Sequence, residues 1–258
     1  MTTAQPGASA PNPPPSDLHG ADRHVSLWTR LFADPAHGPL PALLLLLTTM
    51  TGVIDAVSIL GLGRVFVANM TGNVVFIAFA LTGVPGFSLA SSVAAMAGFL
   101  VGAFVGGQIV GAFGRHRGVL LRNASGLEFV IVAVALIITV ASHNDAGRGS
   151  KVAVSALCAV AMGIQNTTAR CLAVPDLTTT VLTMTLTGIA ADAGHSGIAT
   201  ITRRVLAVLT MFAGGVAGAL LIVHTRLAWA LVVALFLLGT VAIAAGWLSR
   251  RPAAWNAG

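Results

Sequence analysis

The fold of this chain is indicated first by residues 51–83, TGVIDAVSILGLGRVFVANMTGNVVFIAFALTG, in which two apolar runs enclose a short polar cluster. Further apolar runs, separated by short polar loops, lie on both sides of this stretch. A helix needs about 20 apolar residues to cross a bilayer, and six of the eight runs approach that length. The pattern predicts an all-α polytopic membrane protein. The eight segments are 40–60, 65–83, 88–113, 124–142, 151–172, 177–192, 205–224 and 227–248.

The composition excludes several classes of protein. Hydrophobic residues make up 56% of the 258 residues and charged residues only 9%, whereas a soluble domain has about 25% charged residues. So little polar surface could not cover a soluble core, which excludes a soluble globular enzyme, a disordered protein and a coiled coil. The net charge is +6, but the basic residues are scattered singly or in pairs, so the expected partner is the lipid bilayer and not nucleic acid.

No motif in the sequence predicts catalysis or a cofactor. It contains no GxSxG, HExxH, paired intramembrane aspartates or phosphate-binding glycine loop. Cys158 and Cys171 lie 13 residues apart in one apolar segment, too far apart for a disulfide, and no cysteine–histidine cluster has zinc-ligand spacing. We therefore expect a protein that is not an enzyme and that carries no metal and no cofactor.

The two halves of the chain resemble each other at an offset of about 110 residues. Residues 51–60, TGVIDAVSIL, resemble residues 161–170, AMGIQNTTAR, and an offset of 111 residues pairs Asp55 with Asn166. Further along, VANMTGNVVFIA matches TTVLTMTLTGIA, and a glycine-rich segment follows in each half. The pattern predicts an internal duplication. The alternative is that apolar helices rich in glycine and threonine all resemble one another.

The distribution of basic residues bears on the topology. Polar residues interrupt the segments at 65–83 and 177–192, so these are predicted to be re-entrant or broken and not to cross. With six crossings and a cytoplasmic N-terminus, ten basic residues lie inside and four outside, against eight and six for eight crossings. The positive-inside rule favours six crossings, three per half, which would make the halves inverted as in many transporters. The four outside residues are Arg64, Arg148, Lys151 and Arg226.

The polar ends of the chain are predicted to lie outside the membrane domain. Residues 1–38 are rich in proline and polar residues, which predicts a disordered cytoplasmic tail. Residues 39–250 are expected to form one transmembrane domain, with halves at about 40–142 and 151–248, followed by a C-terminal tail at 251–258. The expected location is a bacterial inner membrane, with both termini cytoplasmic.

Polar side chains inside the apolar segments are the candidates for a binding site. A carboxylate such as Asp55 costs roughly 2.5–3.5 kcal/mol at a helix centre on insertion scales, so it should face protein or water. It shares a helical face with Thr48, Thr51 and Ser58, which fits a cavity or a hydrogen-bond seam. A polar cluster in the second segment fits an unwound, ligand-binding stretch or a capped loop at the membrane surface. The cluster comprises Asn69, Thr71, Gly72 and Asn73, and the matching positions of the second half are Gln165, Asn166 and Thr183.

Two further features are predicted to stabilise the fold. Glycines spaced by four residues allow helices to approach closely, within the chain or in a homodimer. Glu128 lies about one turn into the fourth apolar segment, where a carboxylate complements the positive end of the helix dipole. The glycines are Gly98, Gly102 and Gly106 in the third segment and Gly214 and Gly218 in the seventh.

The stretch from Thr51 to Gly83 resembles the signature of the bacterial YoaK-like membrane family, a domain of unknown function. GIQN at 163–166, with the threonine run after it, resembles the second block of that family, and the likeness covers roughly residues 40–250. One departure is that Thr183 is followed by Met184, where a Thr-Gly pair is expected. The resemblance implies a membrane fold and no particular substrate.

Two functions of different classes fit these features. The first is transport of a small solute or ion through a midplane site, in which Asp55 binds or couples the charge and the asparagine, glutamine and threonine side chains coordinate the solute. In that case the polar breaks of the two halves should meet, with Asp55 and Asn166 beside them. The second is a non-transporting membrane scaffold or partner-binding subunit, in which the glycine ladders form the functional surface.

Overall fold

The computed structural model describes residues 37–142, 147–175, 177, 182–192, 198–250 and 254–256. Nearly all of the predicted N-terminal tail, and residues 251–253, 257 and 258 of the C-terminal tail, lie outside these residues. The described part of the chain is helical and contains no β-strand. Its elements are α1 (Leu40–Ala56) continued by a π-helical turn (Val57–Gly61), α2 (Met70–Leu81), α3 (Leu89–Phe113), α4 (Arg117–Ala141), α5 (Arg148–Leu172), α6 (Leu182–Ala191), α7 (Ile198–His224), α8 (Leu227–Leu248) and a short 3₁₀ turn (Ala254–Asn256).

Six helices are long and apolar enough to cross a membrane, namely α1 with its π turn, α3, α4, α5, α7 and α8. Their candidate spans are 22 to 25 residues long. The helices α2 and α6 have 12 and 10 residues, and at about 1.5 Å per residue neither reaches across a hydrocarbon core of about 30 Å. The prediction of an all-α membrane protein with six spanning helices is confirmed by the length and hydropathy of these helices. Large apolar side chains cover their outer faces, as expected for contact with lipid.

The first spanning helix of each half lies in the centre of the bundle. The helices α1 and α5 have the largest buried share of all six spans. The main partners of α1 are α7 and α8, and the main partners of α5 are α3 and α4. The two halves therefore exchange partners, since the first spanning helix of each half packs against the second spanning helix of the other. The short helices lie on the periphery, α2 against α3 and α6 against α7.

Glycines set the closest helix approaches, and these contacts recur in the two halves. A Cβ atom at Gly102 would collide with the carbonyl oxygen of Val160 on α5, and one at Gly214 would collide with that of Thr49 on α1. One turn later, Gly106 lies against Ile164 and Gly218 lies against Val53. Both glycine ladders therefore pack within the chain.

The order of these contacts gives the relative directions of the helices. Successive glycines of α3 meet successive turns of α5, and those of α7 meet successive turns of α1, so both pairs are parallel. In contrast, Arg122 and Phe129 of α4 contact Gly246 and Gly239 of α8 in reverse order, so this pair is antiparallel. A chain with eight crossings would make α4 and α8 parallel. The helix directions therefore agree with three crossings per half.

The bundle has two distinct ends. At one end, Trp255 lies against Gly38 before α1 and against Gly118 near the start of α4. Asn256 accepts a hydrogen bond from the Gly118 N–H (3.0 Å) and donates one to the Ser249 carbonyl after α8 (3.0 Å). These contacts place the starts of α1 and α4 and the end of α8 on one side of the bundle.

The opposite end of the bundle carries the four basic residues that the six-crossing topology predicts to lie on the outer side of the membrane. Gly61 lies against Leu227 at the start of α8. A second cavity there is lined by Leu62, Gly63, Ser88, Ser91, Arg148 and Lys151. Arg64 lies in the adjoining loop, with its guanidinium against Gly86, and Arg226 precedes Leu227. Arg64, Arg148, Lys151 and Arg226 are thus at one end, as the six-crossing topology requires.

Candidate functional site

A cavity of about 460 Å³ lies between α1, α6 and α7. The first half of the chain supplies one wall, from α1 and its π turn, and the second half supplies the others. Asp55 is the only ionisable residue in the lining, which is otherwise apolar. The lining residues are Gly52, Asp55, Ala56, Ile59, Leu60, Leu182, Val208, Met211, Phe212, Gly215 and Ala219.

Asp55 supplies the only carboxyl group among the residues that line this cavity. Its Oδ1 atom is buried and has no hydrogen-bond partner among the described residues, although the side chain as a whole is only half-buried. Ser58, on the same helical face, donates to the Asp55 backbone carbonyl (2.9 Å) and not to the carboxylate. An unpaired carboxylate oxygen at the wall of an apolar cavity is a candidate site for a cation or for a hydrogen-bond donor.

The polar cluster of the second segment closes a loop and does not line the cavity. The buried Asn73 side chain accepts from the Phe66 N–H (2.9 Å) and donates to the Phe66 carbonyl (2.5 Å), which joins the start of α2 to the preceding loop. Gly72 leaves room for the Phe66 ring, since a Cβ atom there would collide with it. Asn69 and Thr71 are exposed. Asn69 is the N-cap residue of α2, and its side chain makes no capping hydrogen bond. The cluster therefore joins α2 to the preceding loop through Asn73, and neither Asn73 nor Thr71 caps the helix.

Gln165 links the two central helices. Its Nε2 donates to the Thr51 hydroxyl (2.8 Å), and Thr51 in turn donates to the Leu47 carbonyl (3.0 Å). Both side chains are fully buried, and Gln165 Oε1 has no partner among the described residues. This hydrogen bond joins α1 to α5 one turn before Asp55. The polar face of α1 therefore packs against α5 at Thr51 and borders the cavity at Asp55.

The remaining candidates of the second half lie on α5 and at the start of α6. Leu182, the first described residue of α6, lines the cavity, whereas its neighbour Thr183 is exposed. Asn166 is half-buried on α5 and does not line the Asp55 cavity. The structure therefore brings Asp55 close to the interrupted segment of the other half, and it does not bring Asn73, Asn166 and Thr183 into the same cavity.

Glu128 was expected to complement the dipole at the start of its helix, and the structure contradicts this expectation. Because α4 begins at Arg117 and not near residue 124, Glu128 lies about three turns into the helix and does not interact with its start. The side chain is 1% exposed, and Oε2 has no hydrogen-bond partner among the described residues. A glutamate followed by the apolar run FVIVAVALIITVA is the signal that could have identified it.

Comparisons with known proteins agree with the fold. The sequence model of a family described as "Protein of unknown function (DUF1275)" matches residues 43–244. The chain is 30% identical over 150 residues to the UPF0700 transmembrane protein YoaK of Bacillus subtilis (strain 168), a match that covers 58% of this chain and 65% of that protein. No solved structure matches. The chain belongs to the DUF1275 family, and the resemblance to YoaK-like membrane proteins is confirmed.

Proposed function

We propose that this DUF1275 membrane protein transports a small solute or ion, and that the cavity beside Asp55 is its binding site. The proposal rests on the buried, unpaired Oδ1 of Asp55, which lies on a spanning helix at the wall of an apolar cavity. A carboxylate within a membrane segment is costly, and such residues commonly mark the pathways of solutes and ions. The cavity is also bounded by both halves of the chain, as expected of transporter sites.

The lining indicates the class of solute. Ten of the eleven lining residues are apolar or glycine, and Asp55 supplies the one charge. At the rim, Leu60 and Phe212 are 52% and 69% exposed, so the cavity is open on an apolar side. Such a site fits an organic cation with an apolar body, because the body can bury its surface on the walls while the cation pairs with the carboxylate.

We also infer that the two halves are inverted repeats. The parallel pairs α1–α7 and α3–α5, together with the antiparallel pair α4–α8, support opposite orientations of the halves when each crosses three times. The recurring glycine contacts support a common origin of the halves. The four basic residues at one end of the bundle support an orientation with that end outside and both termini cytoplasmic.

The rival proposal, a non-transporting scaffold, assigned the glycine ladders to a partner surface. Gly98, Gly102 and Gly106 are covered by α5, and Gly214 and Gly218 are covered by α1. The structure therefore uses these ladders for packing inside the chain, and the transporter remains the function that the geometry supports better.

Uptake into proteoliposomes tests the transporter proposal. The purified full chain should accumulate components of a mixture of metabolites and organic cations, measured by mass spectrometry against protein-free vesicles. Asp55→Asn keeps the volume and a hydrogen-bonding group but removes the charge, so we expect uptake to fall at least tenfold with an unchanged amount of folded protein. Asp192→Asn is the matched control, because Asp192 is 46% exposed and pairs with Arg204 (2.8 Å) away from the cavity. Full uptake by Asp55→Asn would contradict the proposal.

A further inference from the structure

Glu128 carries a second carboxyl group within a spanning helix, and it does not line the cavity beside Asp55. It is the sole glutamate of the chain and lies at the middle of α4, which packs against α5 and α8. Arg122 and Phe129 of α4 contact Gly246 and Gly239 of α8, so Glu128 lies in the part of α4 that packs against α8. The residue is 1% exposed, so the surrounding helices cover its side chain almost completely.

A second polar group near Glu128 is also unsatisfied. Ser125 lies one turn earlier on the same face of α4, it is fully buried, and its hydroxyl has no hydrogen-bond partner among the described residues. Buried polar groups in native structures are nearly always hydrogen-bonded, and each exception needs an explanation. Two such exceptions lie on adjacent turns, at Glu128 and Ser125, so this face of α4 holds two buried polar atoms that no described residue satisfies.

No described cation neutralises Glu128. The helices α3 and α8 and the 3₁₀ turn that pack on α4 contain no charged or titratable side chain. The cations of α5 lie near its ends, and the titratable side chain in its middle is the buried thiol of Cys158. On α4 itself, Arg122 donates to the Asn123 side chain (3.0 and 2.9 Å). The charged residues of α4 and α5 other than Glu128 are Arg117, Arg122, Arg148, Lys151 and Arg170.

We propose that Glu128 is a reversible proton-binding site that couples proton movement to transport. In the conformation seen here the carboxyl group carries the proton, because a charge without a counterion is strongly disfavoured in the seam between α4, α5 and α8. When this seam opens, the O–H bond breaks, the proton passes to water and the carboxylate remains. The coupling rests on the proposed transport function, whereas the protonation of Glu128 can be measured without it.

Infrared spectroscopy of isotope-labelled protein tests the proton site. Since Glu128 is the only glutamate, protein made with carbon-13 glutamate carries one labelled side-chain carboxyl group. In lipid vesicles we expect a labelled carboxylic-acid band at neutral pH that shifts in heavy water and is lost at alkaline pH. Glu128→Gln should remove the band and Asp55→Asn should keep it. A labelled carboxylate band alone at neutral pH, or an acid band that neither exchanges nor titrates, would overturn the proposal.

Vesicles containing a pH-sensitive dye test the coupling, with the same mixture of metabolites and organic cations outside. We expect solute uptake to change the internal pH, Glu128→Gln to reduce the proton flux at least tenfold, and Glu128→Asp to restore it with a shifted pH profile. Uptake without proton flux, or a pH profile of Glu128→Gln equal to that of the unmodified protein, would overturn the coupling and leave the transport proposal standing. A titrating Glu128 band without any uptake would instead overturn transport and leave the proton site.

Discussion

At the scale of single residues, the absence of a side chain is what allows the two closest helix pairs to form. The α3–α5 pair depends on Gly102, whose Cα faces the carbonyl oxygen of Val160, and the α1–α7 pair depends on Gly214 in the same way. Gly107, on another face of α3, has no atom within 4 Å of the position of a Cβ. A methyl group added to α3 would therefore clash with α5 at Gly102 and would meet no neighbouring atom at Gly107.

Replacement of these glycines by alanine should separate the two cases. Gly102→Ala forces α3 away from α5, and overpacking of this kind costs about 1–3 kcal/mol. We expect a lower thermal unfolding midpoint in detergent, followed by circular dichroism. Gly107→Ala is the matched control and should leave the midpoint unchanged or raise it slightly, because alanine favours a helix over glycine by about 1 kcal/mol. Equal midpoints for the two variants would contradict the close approach at Gly102.

The candidate site was predictable only in part at this scale. Asp55 could be identified because a lone carboxylate in an apolar segment stands out in the sequence. The role of Asn73 could not, because its two bonds to Phe66 depend on how the loop closes. Glu128 was misplaced because the stretch RGVLLRN at 117–123, which carries two arginines and an asparagine, extends α4 before its continuous apolar run. Hydropathy locates the membrane-buried part of a helix and not its end.

At the scale of elements, the lengths of the helices were largely predictable and their partners were not. The third segment was expected at 88–113 and is observed at Leu89–Phe113, because Ser88 caps the helix by accepting a hydrogen bond from the Ser91 N–H (3.2 Å). The π-helical turn at Val57–Gly61 was not foreseen. Partner choice is set by side-chain contacts between distant segments, for which a single sequence contains no direct signal.

The antiparallel arrangement of α4 and α8 can be tested by cross-linking. In a background without Cys158 and Cys171, the pair Gly118→Cys and Ser249→Cys should form a disulfide. Ser249 Cβ lies 2.8 Å from an ideal Cβ at Gly118, so a shift of about 1 Å brings the two Cβ atoms to the disulfide distance of about 3.8 Å. The control pair, Gly118→Cys with Leu227→Cys, places the second thiol at the far end of α8, about 33 Å away. Peptide mapping by mass spectrometry reads the result. A disulfide in the control pair alone would indicate parallel helices.

At the scale of the whole molecule, the end that carries Arg64, Arg148, Lys151 and Arg226 should face away from the cytoplasm. A thiol introduced by Arg64→Cys should therefore react with an impermeant maleimide in intact cells, once Cys158 and Cys171 have been replaced. Arg115→Cys is the counterpart, because Arg115 is exposed just before α4, at the other end of the bundle. Its thiol should react only after the membrane is permeabilised. The opposite labelling pattern would reverse the orientation.

The exchange of partners between the halves also affects how the protein is made. The span of α1 ends at Gly61, whereas the span of its partner α7 begins at Thr200, and a ribosome adds about 5–20 residues per second. The helix that carries Asp55 therefore leaves the ribosome on the order of ten seconds before its partner exists. During that interval Gly52, Asp55 and the rest of the α7-facing surface need another cover, from lipid or from the insertion machinery. Biogenesis, as well as function, thus constrains which residues this surface can carry.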